Sequence, residues 1–408
     1  MNNLNYLEKL LDGAKVEWLT LGQVAEVSAA GVDKKINDNE IPVKLLNFMD
    51  VYRNRYIDKS IPQMEVTAKE SKIEFCNILA GDIFITPSSE VKDDIGNSAV
   101  AIEDLKGVVY SYHVMRLRLK KPSIITSMFI SYALSSNIVQ SQINILAKGL
   151  TRFGLTKTQW EDKIQIPIPC PDDPKKSLAI QAEIVRILDA FTALTAELAA
   201  ELVARKKQYS YYRDQLLTFS DGEVEWKPLG RLAKNLDSKR KPITSGLRES
   251  GKMPYYGASG IVDYVKDYIF DGDYLLISED GANLLARNTP IAFSISGKTW
   301  VNNHAHVLQF ETYAERKFVE YYLNSIDLTP YISGAAQPKL NKNNLQNILI
   351  PDPSLAEKER IVAILDKFDA ITNSLQEGLP REIELRQKQY EYYRDLLLNF
   401  PKAEEVAA

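Results

Sequence analysis

Apolar residues in two stretches of the chain recur at the 3–4 spacing of a helix that buries one stripe. The first runs Ile180, Ile184, Ile187, Phe191, Leu194 and Leu198. It resumes at Leu202 and continues as Tyr209, Tyr212, Leu216 and Phe219. This 4-3 alternation is a coiled-coil seam with one four-residue stutter near Leu198. No Pro or Gly interrupts residues 179–219, so the spacing predicts a rod of about 60 Å. The second stretch runs Ile361, Ile364, Phe368, Ile371, Leu375, Leu379, Ile383, Tyr390, Tyr393, Leu397 and Phe400. Within it, Gly378-Leu379-Pro380 should break or kink the helix. A seam this long needs a partner, so the two rods are expected to pack antiparallel on each other. The stretches around them mix both periods. Tyr274–Ile277 and Ile291–Ile295 read as strands, and Met128–Leu134 and Lys317–Leu323 as helices. The expected class is α+β, with long loops.

The two seams are copies of one another. Gln-Tyr-Ser-Tyr-Tyr-Arg-Asp-Gln-Leu-Leu-Thr-Phe at 208–219 returns as Gln-Tyr-Glu-Tyr-Tyr-Arg-Asp-Leu-Leu-Leu-Asn-Phe at 389–400. Upstream, Ile184–Asp189 pairs with Ile361–Asp366, and Ile166–Pro169 with Ile350–Pro353. Val16-Glu17-Trp18 and Val224-Glu225-Trp226 open each copy. Tyr6–Leu11 resembles Tyr212–Leu217, so the repeat is circularly permuted, and an approximate two-fold relation with neighbouring termini is expected. Asp189 to Tyr209 spans 20 steps and Asp366 to Tyr390 spans 24, so the second copy is four residues longer. Residues 16–148 and 224–333, between the copies, share little. A duplicated scaffold with two dissimilar modules implies one partner type held twice and two different things read.

Composition narrows the class. The 408 residues are 45% hydrophobic and 25% charged, as in ordinary globular proteins. No apolar run approaches the roughly 18 residues of a membrane span. Met1-Asn2-Asn3-Leu4 has no basic n-region, so no signal peptide is expected. Two cysteines and three histidines offer no metal-ligand spacing, so no metal is expected and the simplest setting is reducing and cytoplasmic. The net charge of −4 argues weakly against nucleic acid, but charge is uneven. Arg231, Lys234, Lys239, Arg240, Lys241, Arg248 and Lys252 face only Asp237 and Glu249 in their stretch. Such a basic patch suffices for a DNA footprint, although a solvated loop has the same composition.

Candidate chemistry follows from the loops. Groups suited to phosphates and base edges are Arg53, Arg55, Ser88, Ser89, Lys148, Thr151 and Arg152 in the first module. In the second they are Lys239, Arg240, Lys241, Tyr256, Asn303, His304 and Lys339. Tyr211 and Tyr392 lie off the seam, and with Arg213 and Arg394 they are candidates for a partner surface, since Tyr and Arg are enriched at hot spots. Catalytic motifs fail. Gly297-Lys298-Thr299 invites a phosphate-loop reading, but that motif needs a Gly where Ala292 stands. GxGxxG, GxSxG and HExxH are absent, so no catalytic residue and no cofactor is expected.

Over essentially its whole length the chain resembles a specificity (S) subunit of type I restriction–modification systems. The resemblance is strongest at 178–219 and 359–400, including Arg381–Lys388. It extends to Pro254-Tyr255-Tyr256-Gly257, Asp280-Gly281 and Val301-Asn302-Asn303-His304. It implies two α/β target-recognition domains, each reading half of a gapped, asymmetric duplex DNA site. They would be separated by two long helices that pair as an antiparallel coiled coil. It implies two methyltransferase (M) subunits held by those helices, motor-nuclease (R) subunits joined through that core, and no catalysis by the chain itself. The expected divisions are a helix tail at 1–14, recognition domains at 15–160 and 223–345, and conserved regions at 161–222 and 346–408. The four extra residues, about 6 Å of helix, approach the rise of two base pairs, so helix length is expected to help set the gap. The rival reading is a coiled-coil protein scaffold that ignores DNA sequence. A nuclease is a third, set back by the missing motifs.

Overall fold

The computed structural model describes residues 6–220, 222–334, 337–374 and 376–401. Met1-Asn2-Asn3-Leu4 and the seam position Leu375 lie outside the described residues. The chain divides into two compact units. Unit 1 contains the residues up to Glu197 together with those from Glu384 on, and unit 2 is Leu198–Ile383.

In unit 1 the strands are β1 (Val16–Thr20), β2 (Ala25–Ser28), β3 (Ile41–Leu46), β4 (Tyr56–Ile57), β5 (Met64–Ala68), β6 (Ile83–Ile85), β7 (Ser88–Ser89), β8 (Ser98–Ala101), β9 (Val108–Tyr110), β10 (Met115–Leu119), β11 (Phe153–Gly154) and β12 (Gln165–Pro169). One sheet has the order β2-β10-β6-β8-β4, a second β5-β3-β9, and β1 pairs with β12. In unit 2 they are β13 (Glu225–Pro228), β14 (Lys234–Asn235), β15 (Ser250–Gly257), β16 (Gly260–Val265), β17 (Phe270–Asp271), β18 (Tyr274–Ser278), β19 (Ala292–Ile295), β20 (Lys298–Val301), β21 (Ala305–Gln309) and β22 (Leu349–Asp352). The orders are β14-β21-β18-β19 and β16-β15-β20-β17, and β13 pairs with β22.

The two units therefore share a plan. In each unit one strand pairs antiparallel with one neighbour and parallel with the other: β3 with β5 and β9, β15 with β16 and β20. In the other main sheet of each unit, β10 pairs antiparallel with β6 as β21 does with β18. The sequence showed little of this likeness. Strand faces need only apolar residues of fitting volume, and the polar loops between them differ.

The helices carry the repeat. The central helix, Pro174–Leu217, is 44 residues long. Pro174 opens it without losing a hydrogen bond, and the Asp173 carboxylate accepts from the Lys176 amide. Its buried row is Ser177, Ile180, Gln181, Ile184 and Leu188. The seam position Ile187 is half-buried and lies beside this row. The row at i, i+4 is the one that faces the unit 1 core, which also contains Phe129, Ile130, Ile166 and Ile168. The second copy shows the same offset, since Ile361 and Leu365 are buried and Ile364 is half-buried. Its helix, Leu355–Thr372, is followed by a break, with Gly378 in the left-handed region at φ 84°. A further helix spans Leu379–Leu397. The expected break is thus present, between Thr372 and Leu379.

Circular permutation is visible in the cores. In unit 2 the central helix ends at Leu217 and the chain continues to β13, with Phe219 against Phe318. In unit 1 the matching contact is Phe400 against Phe129, made by the C-terminal helix. The helix Tyr6–Leu11 buries Leu7 and Leu11 in the same core as Leu397, Leu398 and Phe400. The Trp18 indole donates to the Pro401 carbonyl at 3.0 Å. The segments around Trp18 and Pro401 therefore meet in unit 1, while the chain ends expected to be neighbours lie outside the described residues.

Candidate nucleic-acid interface

Each unit holds its αβ module on its helix through one repeated carboxylate. In unit 1 the hydroxyls of Tyr56 and Tyr132 both donate to Asp189, each at 2.5 Å. In unit 2 those of Tyr313 and Tyr321 donate to Asp366, at 2.9 and 2.6 Å. Tyr132 lies on the helix Ser127–Leu134 and Tyr321 on Tyr313–Ser325, in the matching phrases Phe-Ile-Ser-Tyr-Ala-Leu and Phe-Val-Glu-Tyr-Tyr-Leu. Burial first, and then the carboxylate they bond, push the Tyr132 and Tyr321 phenols far up and Tyr313 to about 12.

The loops beyond the sheets carry the polar groups. In both units one connection leads from the parallel-paired strand to the next antiparallel strand: β9 to β10, and β20 to β21. His113 and His304 each lie three residues past the last parallel-paired residue of their unit, Tyr110 and Val301. Both units also build a six-step hairpin, bridged Lys148 to Gly154 and Ser333 to Lys339. It lies against β7 in unit 1, and against Asp280 in unit 2.

Unit 2 gathers most of its predicted residues. Lys239, Lys241 and Asn303 are exposed. The His304 Nδ1 lies 2.9 Å from both Asp280 oxygens. The Lys339 ammonium is 3.1 Å from Glu279. Tyr256 is half-buried against Phe293, and burial and then the nearby Tyr264 push its phenol up. Arg240 differs from its neighbours in having internal partners. Its guanidinium is occupied internally by Glu279 at 2.5 Å, the Ala305 carbonyl at 2.8 Å and Asp237 at 3.5 Å. Beneath it His306 is wholly buried. Its Nδ1 is 2.7 Å from Asp237 and its Nε2 2.7 Å from the Leu340 carbonyl. Asp237 and Glu279 end below the usual carboxylate range. Burial raises both, and His306 for Asp237, and Arg240 with His306 for Glu279, outweigh it. This buried network joins the Lys239–Lys241 segment, β21 and the hairpin.

Unit 1 behaves likewise. Lys148 and Thr151 are exposed at the hairpin. Arg152 donates from Nε to the Ser88 hydroxyl at 3.0 Å. Arg53 is exposed at the end of the helix Phe48–Arg53. Arg55 and Ser89 have partners within the module. Arg55 lies 4.1 Å over the Tyr132 ring and donates to Ser131, so it serves the Tyr–Asp anchor. Ser89 is buried, with its hydroxyl directed at Asp94. Lys34, Met49 and His113 were missed. They line, with Arg152, a cavity of about 400 Å³. The match of His113 to His304 was the available signal, hidden because Tyr110-Ser111-Tyr112 and Val301-Asn302-Asn303 share no residue.

The proposed partner residues recur as a pair of like geometries. Tyr212 stacks on Phe368 at 5.7 Å and 24° in unit 2, and Tyr393 on Phe191 at 5.2 Å and 20° in unit 1. Tyr211 and Tyr392 stand edge-on to these rings, 59% and 64% exposed. Arg213 and Arg394 pair with the adjacent Asp214 and Asp395. In unit 2 a groove of about 1100 Å³ runs beside Tyr211, lined also by Leu216, Ile364 and Phe368.

Among the described residues no group of three or more His, Cys, Asp or Glu could hold a metal ion. No helix among them is long and apolar enough to cross a membrane.

The comparisons with known proteins agree with one another. The family model for the type I restriction modification DNA specificity domain matches residues 15–204 and 222–385. The specificity subunit of the type I restriction enzyme EcoR124I/EcoR124II of Escherichia coli is 37% identical over 433 residues, covering 100% of both chains. That of EcoprrI, also of Escherichia coli, is 35% identical over 394 residues, covering 92% of this chain and 93% of its own. Among solved structures, the type I restriction–modification S subunit from M. genitalium superimposes with TM-score 0.57 at 17% identity, covering 96% of this chain and 98% of that one. A chain from a structure addressing complex assembly of the type I R-M system gives TM-score 0.58 at 16% identity, covering 94% and 97%. With two specificity domains matched and whole-length relatives of the same kind, the chain belongs to the type I restriction–modification DNA specificity family.

Proposed function

We propose that this chain is the DNA-reading subunit of a type I restriction–modification complex in the cytoplasm. Each αβ module reads one half of a gapped, asymmetric duplex site. The carrying observation is the shared plan of the two units. The same hairpin and the same His-bearing connection recur with different side chains, which is what two readers of different sequences need. Lys239, Lys241 and Lys148 supply phosphate contacts, and His304, Asn303, Lys339 and Arg152 lie where base edges are read. The two exposed surfaces around Tyr211–Arg213 and Tyr392–Arg394 each hold one methyltransferase subunit. Their near-identity suits one partner type bound twice. Motor-nuclease subunits join through that core, and the helical segments fix the number of base pairs between half-sites. The chain supplies recognition, and the chemistry belongs to its partners.

The test is methylation of a random duplex library by this chain assembled with its methyltransferase. A two-part motif enriched among methylated molecules supports the proposal. Methylation without a motif supports the scaffold reading.

A further inference from the structure

We infer that the unit 1 cavity lined by Lys34, Met49, His113 and Arg152 seats a base edge from the major groove of its half-site, with His113 as a specificity-determining residue. This rests on the DNA-reading proposal and narrows it to one pocket.

The first support is position. His113 and His304 fill one place in a shared topology, at the exit of β9 and of β20. In unit 2 that place lies among Asn303, Asp280 and Lys339, the polar groups of the reading loops. A duplicated fold that keeps its polar edge at the same loops puts the reader of unit 1 there too.

The second support is unsatisfied chemistry. Asp280 engages the His304 ring, but among the described residues no hydrogen bond or ion pair engages the His113 ring nitrogens or the Lys34 ammonium. Both residues donate only from their backbone amides, Lys34 to Asp33 and His113 to the Ser111 hydroxyl. Burial, followed by the Lys34 and Arg152 charges, holds His113 below its ordinary value, against the opposing pull of Asp33. This lowering favours the uncharged imidazole, which has one donor and one acceptor nitrogen. A base edge offers both kinds of partner, whereas a phosphate offers only acceptors. The other charged groups facing the cavity are Glu90 and Asp94. The Asp94 carboxylate is already occupied by the Tyr52 and Ser89 hydroxyls. Lys34 and Arg152 offer donors for guanine O6 and N7, and Phe48, Met49 and Val91 offer an apolar wall for a thymine methyl.

The third support is rigidity. A Cβ on Gly31 would meet the Tyr112 amide nitrogen at 2.2 Å, so only glycine lets the Lys34 segment lie this close to the His113 connection. A Cβ on Gly149 would meet the Arg152 carbonyl at 1.8 Å, so the hairpin that carries Arg152 also depends on glycine. Tyr112 packs on the His113 ring with centroids 4.0 Å apart. Recognition groups held by packing and second contacts discriminate better than mobile ones.

The experiment uses the chain assembled with its methyltransferase, random duplexes and sequencing of the bound fraction. The variants are His113→Ala and His113→Gln. His113→Ala should relax preference at one base pair of one half-motif by about tenfold and leave the other half-motif intact. His113→Gln, which keeps a donor and an acceptor, should retain more of that preference. An unchanged motif with His113→Ala overturns the inference. So does a loss spread over both halves, which marks a structural role. If the unaltered complex enriches no two-part motif, the DNA-reading proposal itself fails, and the inference with it.

Discussion

Replacing Asp366 by Ala should destabilise unit 2 by more than any exposed ion pair could. Asp366 accepts from Tyr321 and Tyr313. The two losses are unequal. Tyr313 is 55% exposed and its hydroxyl can turn to water, whereas Tyr321 is 4% exposed and would keep a hydroxyl with no acceptor. A hydrogen bond to a charged group contributes about 1.5–3 kcal/mol, and an orphaned buried donor costs about 1–3 kcal/mol. The two overlap for Tyr321, so the expected total is about 2–4 kcal/mol. For a unit of this size each kcal/mol lowers Tm by roughly 2–4 °C, which predicts a fall of several degrees. Tyr321→Phe removes the donor without orphaning it and should cost less. Urea unfolding of both single variants and the double variant gives the coupling, expected at about 1 kcal/mol or more. Asp189→Ala should behave alike in unit 1, because Tyr132 is fully buried and bonds it at 2.5 Å. Additive variants, or an Asp366→Ala cost below about 0.5 kcal/mol, would refute the anchoring role.

Other consequences can be checked with the same materials. Glu279→Ala leaves the half-buried Arg240 without its closest partner and should cost about 1.5–3 kcal/mol, measured by urea midpoint. Asp237 and Glu279 sit below their ordinary values, so their contribution is complete above the unfolded carboxylate range near pH 4 and is lost as pH falls through the lowered folded values. Unit 2 should thus lose stability to acid only below about pH 4, and Glu279→Gln should make that slope shallower. Removing both Lys239 and Lys241 should weaken DNA binding for all sequences alike and reduce the salt slope by about 2, measured by titration across salt. Tyr211→Ala and Tyr392→Ala should each raise the dissociation constant for one methyltransferase subunit by about thirtyfold or more, the mark of a hot spot near 2 kcal/mol, read by analytical ultracentrifugation.

Much of the plan was legible in the sequence. The repeat at 208–219 and 389–400, the long helix and the break near Gly378 all appear as expected, because each rests on local chemistry. The stripe through Ile187 and Phe191 is half-buried, with Phe191 stacked on Tyr393, while periodicity alone did not reveal the second row at Leu188. The Leu188 row is fixed by the αβ module packed on the helix. The site residues were harder. Arg55 and Arg240 looked free because composition cannot tell whether a guanidinium already has partners within its own module. His113 was missed because its likeness to His304 lies in its spacing from a parallel-paired strand, which becomes visible only once β9 and β20 are paired with β3 and β15.

The central claim is that this chain chooses the DNA sequence its complex modifies. The most direct measurement maps methylated bases across the host genome with and without the gene, with the partner methyltransferase shown to be expressed. A gapped two-part motif that is methylated in its presence and lost on deletion is the predicted result. An unchanged pattern of methylation, with the methyltransferase present, would contradict it.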